Sequence, residues 1–173
     1  MNDQHLWNLG TVRLKALLAD LPVAKGLTLT QLLIRYREAK EAFAAVVASV
    51  DADSVCRECE GQCCLNGKYR INVFDALART VAETPTSADF FQKPVCPYGT
   101  DTGCTMEPGL RPADCVLFIC EAIEQKMSPQ ARLILAGQEQ ELRECIRKAS
   151  RLTGEPLGNP LLLWAARAEI NPN

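Results

Sequence analysis

Four of the nine cysteines in this chain fall within nine residues, Cys56-Arg-Glu-Cys59-Glu-Gly-Gln-Cys63-Cys64. That C-x-x-C-x-x-x-C-C run constrains the fold more than any other feature. On an ideal helix Cys56, Cys59 and Cys63 share a face, but about 10 Å of axial rise separates the first from the last. Sulfurs around one zinc lie only about 3.8 Å apart, since Zn–S bonds are near 2.3 Å in a tetrahedron. A run that serves one ion must therefore bend, with Gly61 as the natural hinge, or else its thiolates serve a polynuclear cluster or two neighbouring metals. The adjacent pair Cys63 and Cys64 raises the same question, because successive side chains diverge in regular structure.

Thiolates are soft ligands for zinc, Cu(I) and iron-sulfur clusters, and the only histidine, His5, is remote in sequence. Any metal site here is expected to be wholly or mainly sulfur-ligated. The first residues, Met1-Asn-Asp-Gln-His-Leu-Trp7, contain neither a basic nor a sustained apolar region, so they do not read as a signal peptide. The expected compartment is the cytoplasm, where clustered thiols are more often ligands or redox groups than structural bridges. An odd cysteine count agrees with that choice over a disulfide scaffold.

The chain has 173 residues, 47% hydrophobic and 23% charged, which suits a single domain spanning residues 1–173. A formal net charge of -2 gives no general attraction to nucleic acid or anionic lipid. The longest apolar run, 42–50, has nine residues and contains Ser49, whereas a spanning helix needs about 20 apolar residues. Neither nucleic acid nor membrane is expected as a partner.

The surrounding pattern predicts a mainly α fold, a helical bundle carrying an irregular cysteine-rich metal-binding segment over about 51–120. Flanking helices are expected within 11–50 and 128–169. A first helix over 12–20 takes Thr11 as its cap and buries Leu14, Leu17, Leu18 and Leu21. Thr28-Leu-Thr-Gln31 matches a capping box, and Leu29, Leu32, Tyr36, Ala39, Phe43, Val46 and Val50 recur in steps of three and four. This predicts a long helix over 28–50, its stripe packed in the bundle rather than in a coiled-coil dimer. The cysteine run then follows the end of that helix.

Residues 68–71 are expected as a short strand and 73–82 as a helix capped by Asn72. The proline- and glycine-rich stretch 87–112 reads as turns around a small β-hairpin. Residues 116–120 suit a buried strand or a helix equally, because five consecutive apolar residues show no period. Ser128-Pro129 opens a helix expected to reach about Leu152, before Gly154 and Pro156, and Asn159-Pro160 opens a terminal helix through Ala168.

A second cysteine group lies in the irregular stretch: Cys96-Pro97, Gly103-Cys104 and Arg111-Pro112-Ala-Asp-Cys115. Each stands beside a residue that restricts or frees the backbone, as expected where a loop folds round an ion. Cys120 is either an eighth ligand or a buried free thiol. Cys145 falls on the apolar stripe Leu135, Leu142, Ile146, Ala149 and Leu152 and is expected in the core.

The ordered set of C-x-x-C-x-x-x-C-C, Cys-Pro, Gly-Cys and Arg-Pro-x-x-Cys resembles the bacterial YkgJ-type cysteine-cluster family, described as zinc- or iron-chelating domains. The resemblance spans 56–115, about a third of the chain. It implies a metal site built from Cys56, Cys59, Cys63, Cys64, Cys96, Cys104 and Cys115, with Arg111 and Pro112 shaping the last turn. The family's usual continuation is basic and aromatic with a Phe-Pro pair. Here it is Val-Leu-Phe-Ile-Cys120, so the surroundings beyond Cys115 are expected to differ.

The leading functional expectation is a metal-binding protein that holds zinc or an iron-sulfur cluster and uses it to lock the irregular segment. Cys96-Pro97 echoes ferredoxin motifs and tilts the choice toward iron-sulfur. An iron-sulfur-dependent enzyme or accessory protein is the alternative, because flagellin lysine methylases carry a similar cysteine pattern in longer chains. No phosphate loop or nucleophile triad accompanies it, and no residue is assigned a catalytic role. His5 reads as a surface residue, and Glu58 and Asp114 as exposed acids. A thiol redox role for Cys56 and Cys59 ranks last, since a thioredoxin-like alternation of strands and helices is missing.

Overall fold

The computed structural model describes residues 2–58, 67, 69–84, 90, 96, 98–100 and 103–170. Its first helix, α1 (Asp3–Asp20), starts well before the expected position, because the Asn2 side chain accepts the His5 N–H at 2.8 Å and caps it. Thr11 is not a cap; its hydroxyl bonds back to the Trp7 carbonyl inside the helix. Gly10 does not break the helix either. A Cβ there would come within 3.0 Å of Leu161, so its bareness lets the terminal helix approach.

Leu21 and Pro22 interrupt the chain, and α2 (Val23–Ala48) begins at once. The expected start at Thr28 is therefore wrong. Pro22 presets the backbone for helix entry, and Thr28 lies inside α2, its hydroxyl on the Ala24 carbonyl. The buried stripe holds: Leu29, Leu32, Tyr36, Ala39 and Phe43 are buried, with Val46 and Val50 partly so. Asp51, in the left-handed region at φ 57, turns the chain into α3 (Ala52–Glu58).

Helix α4 (Val73–Val81) occupies the middle of the molecule, with every residue from Val73 to Arg79 buried. Its start is the expected one and is fully partnered. Asn72 and Asp75 form a reciprocal capping box, while the Val73 and Phe74 N–H groups donate to the Asn159 and Leu157 carbonyls. The strand expected over 68–71 does not form across Tyr69–Ile71. The Arg70 N–H turns back to the Gly67 carbonyl, and only an isolated bridge, Asn72 to Pro160, follows.

The expected hairpin is present as strands β1 (Gly99–Thr100) and β2 (Gly103–Cys104), antiparallel with Gly99 opposite Cys104. A 3-10 turn at Pro108–Leu110 packs on α2 and precedes α5 (Ala113–Leu117) and α6 (Glu121–Glu124). The ambiguous residues 116–120 thus finish one short helix and run extended at Phe118 into the next. Both late helices start as expected: α7 (Pro129–Thr153) is capped by Ser128 and ends at Gly154, φ 78, and α8 (Leu161–Ile170) follows Pro160.

Helix α7 lies antiparallel to α2: Arg35 pairs with Glu141, while Phe43 shares a cluster with Leu135. α8 packs on α1, where Arg13 lies 4.0 Å over the Trp164 ring and Glu155 binds both the Arg13 guanidinium and the indole N–H. The main core lies among α1, α2, α4, α7 and α8, and a second cluster joins the C-terminal half of α2 to α3, α6 and the start of α7. The fold is mainly helical, and no described helix is long and apolar enough to cross a membrane.

Candidate metal centre

Helix α4 organises this region from beneath. Asp75 and Arg79, one turn apart on it, are both buried. Arg79 lies 4.6 Å over the ring of Tyr98, which stands between Cys96 and the hairpin. Burial raises the Tyr98 pKa, Arg79 opposes that shift, and Cys96 and Cys104 both lie close enough to add to it. Cys96 is buried and Cys104, on β2, is partly so.

Cys115 reaches the same neighbourhood from α5. Its thiol is pushed up to about 12, first by burial, with the nearby Arg70 guanidinium opposing the rise and Cys96 and Asp75 adding to it. Such a thiol is protonated and inert on its own, and a coordinated cation reverses that preference by holding the thiolate.

The turn that follows the cysteine run is docked against this group at both ends. A Cβ on Gly67 would lie 2.8 Å from Cys96 Sγ, so any larger residue there would push the Cys96 side chain aside. Three residues later Arg70 meets the Cys115 thiol and stacks 5.2 Å over Phe118. Cys96, Cys104, Cys115 and the Gly67–Arg70 turn thus share one neighbourhood.

The remaining candidates divide. Cys56 is exposed on α3, and Cys59, Cys63 and Cys64 lie outside the described residues. Cys120, partly buried at the N-cap position of α6, packs in the second cluster with Val55 of α3. Cys145 is fully buried in the main core, as expected, its thiol raised to about 11 by burial and by Glu141. His5 and Glu58 are exposed, and so is Asp114. Among the described residues, no three His, Cys, Asp or Glu side chains form a metal-sized group.

The charged network behind Cys115 went unread in the sequence. Lys40 and Asp75 form an ion pair at 3.2 Å with both side chains fully buried. Lys40 also donates to the Arg111 carbonyl at 2.8 Å, and the Tyr36 hydroxyl donates to Asp75 at 2.8 Å. The Ala113 N–H reaches both Asp75 oxygens at 3.2 Å. Burial lowers the Lys40 pKa against the pull of Asp75, and burial with Asp75 holds the Tyr36 hydroxyl well above its usual range. Two signals were available: Lys40 stands on the buried stripe between Tyr36 and Phe43, and Asp75 stands three residues after the cap Asn72.

The donor chemistry around Cys96, Cys104 and Cys115 suits a soft cation. These are thiols in partly or wholly dry surroundings, with Arg70 available to hydrogen-bond a thiolate sulfur. Comparison with protein-family models, curated proteins and solved structures finds no match for this chain.

Proposed function

We propose that this is a metal-binding protein in which clustered cysteine thiolates hold zinc or an iron-sulfur cluster. The observation that carries the reading is the docking of the Gly67–Arg70 turn on Cys96 and Cys115. Gly67 stands three positions after Cys64 in sequence, and three residues of chain reach at most about 11 Å. The described chain thus resumes beside the second group. The resemblance to the YkgJ-type family points the same way, with Cys56, Cys59, Cys63, Cys64, Cys96, Cys104 and Cys115 as the ligand set and Cys120 as a further candidate.

When bound, zinc would supply a structural cross-link, and an iron-sulfur cluster would add electron transfer or sensing. The protein's own part would be to carry Cys96, Cys104 and Cys115 on the segment that meets α4 through Tyr98 and Ala113, to bury Cys96, and to set the Arg70 guanidinium near the Cys115 thiol. Cys96-Pro97 favours the iron-sulfur version. A cytoplasmic location belongs to the same proposal, since a reducing compartment keeps the thiols available.

Anaerobic purification followed by elemental analysis, sulfide assay and a visible spectrum tests the reading. Iron with acid-labile sulfide and visible charge-transfer absorbance is the expected result. Stoichiometric zinc in a colourless protein would select the other metal. A folded preparation with all nine thiols unligated would overturn the proposal.

A further inference from the structure

We propose that Lys40 and Asp75 are positioning residues for Cys115, gripping the turn before it from both sides of Pro112. The inference deepens the metal-binding reading and rests on it for its purpose, though the geometry stands by itself. Lys40 Nζ donates to the carbonyl of Arg111, the residue before Pro112, at 2.8 Å. Asp75 accepts the N–H of Ala113, the residue after it, on both oxygens at 3.2 Å. The cation therefore holds an acceptor, the anion holds a donor, and their own contact at 3.2 Å closes the ring.

Pro112 has no N–H of its own and fixes its φ, here -53, so the turn has little freedom left once its flanking groups are held. Its carbonyl then accepts the Cys115 N–H at 2.9 Å. The backbone of Cys115 is thereby referenced to α2 through Lys40 and to α4 through Asp75.

Stability alone is a weak reason for such a pair. A buried ion pair replaced by well-packed apolar residues is often no less stable, whereas buried polar groups can specify one arrangement among several. Here both charges are spent on backbone atoms of a single turn, and that turn carries a candidate ligand. A device that specifies position is the role this geometry fits.

The test compares thiol reactivity in the full chain, as purified and after chelator treatment, with iodoacetamide as probe and mass spectrometry to locate the label. Cys145, fully buried in the main core, is the internal reference. Lys40→Met is expected to accelerate labelling of Cys115 by about tenfold or more while Cys145 is unchanged, the mark of local rather than global opening. Loss of a nearby cation by itself would slow the thiol, so acceleration reports the freed turn.

Leu14→Ala, a buried position on α1, supplies the global comparison, in which both cysteines accelerate together. Parallel acceleration in Lys40→Met, or none at Cys115, would overturn the inference. Should Lys40→Met fail to fold, Lys40→Gln, which keeps an amide donor group without the charge, is expected to give the same selective change at smaller size, and a parallel change there would count against the inference equally. Titration with cobalt adds a second readout: affinity is expected to fall about 10- to 100-fold in Lys40→Met and not to fall further when Lys40→Met is added to Cys115→Ser. An equal fall in the Cys115→Ser background would overturn the positioning role. Absence of metal binding in the unaltered protein would instead remove the function proposed above, and the labelling experiment would still judge the turn.

Discussion

The α2–α7 pair and the turn from Arg111 to Cys115 are held by opposite means. The helix pair is joined along its length by apolar side chains, from Leu32 and Phe43 on one helix to Leu135, Leu142 and Ala149 on the other. The turn before Cys115 is held by two buried charges acting on backbone atoms. Apolar packing is non-directional and tolerates small adjustments, whereas a charge bonded to a carbonyl or an N–H defines a position and is costly to leave unpaired. The first mode suits a frame, and the second suits a segment whose placement matters more than its area.

Breaking the charged side of the comparison is expected to have the largest effect. Asp75→Ala strands Lys40 as an unpaired buried cation, also leaves the Ala113 N–H and the Tyr36 hydroxyl without their carboxylate, and should cost about 3–5 kcal/mol in urea unfolding. The apolar side gives the next largest change. Leu142→Ala, at a side chain 1% exposed, should cost about 2–5 kcal/mol. Unlike the change at Lys40, it should alter Cys115 and Cys145 labelling together. A selective rise at Cys115 in Leu142→Ala would erase the distinction between the two regions.

Helix caps sharpen the contrast at lower energy. Asn72 is buried and engaged in a reciprocal capping box, so Asn72→Ala should approach about 2 kcal/mol, the upper end for a cap. Ser128 caps α7 at an exposed end, and Ser128→Ala should cost about 0.5–1 kcal/mol in the same unfolding measurement. Equal costs would mean that burial does not set the value of these caps.

The smallest effect is one of slope. Tyr36 has a folded-state pKa raised above its ordinary value of about 10. Above that pH the unfolded chain loses a proton that the folded chain keeps, so this group's contribution, fully present below about pH 10, falls as pH rises. Unfolding of Tyr36→Phe across pH 9 to 11 should show a shallower alkaline decline than the unaltered chain; an unchanged slope would remove Tyr36 from the network around Asp75.

Elements bounded by side-chain signals were legible in sequence. Ser128-Pro129 and Asn159-Pro160 mark α7 and α8, Asn72 marks α4, and Cys145 was rightly placed in the core. The starts of α1 and α2 were misplaced because capping patterns at Thr11 and Thr28 also occur inside helices, where a threonine hydroxyl bonds to its own helix backbone. The strand expected over 68–71 does not form across the described Tyr69–Ile71, for a tertiary reason. Arg70 turns back on Gly67, while Ile71 and Asn72 pair with the segment before α8 rather than with a neighbouring strand.

The cysteines announced themselves by spacing, and the small hairpin by its glycines. The residues beneath them did not, although Lys40 on an apolar stripe was a visible irregularity. Composition and periodicity by themselves determined a mainly helical frame and singled out the thiol-rich segment, because helix caps and apolar repeats act over a few residues. Only the tertiary structure brought Gly67 against Cys96 and set Lys40 and Asp75 on either side of Pro112. Those contacts join positions 29 to 71 residues apart in sequence, or tie a backbone carbonyl to a side chain from another helix, and no local pattern encodes where such groups meet.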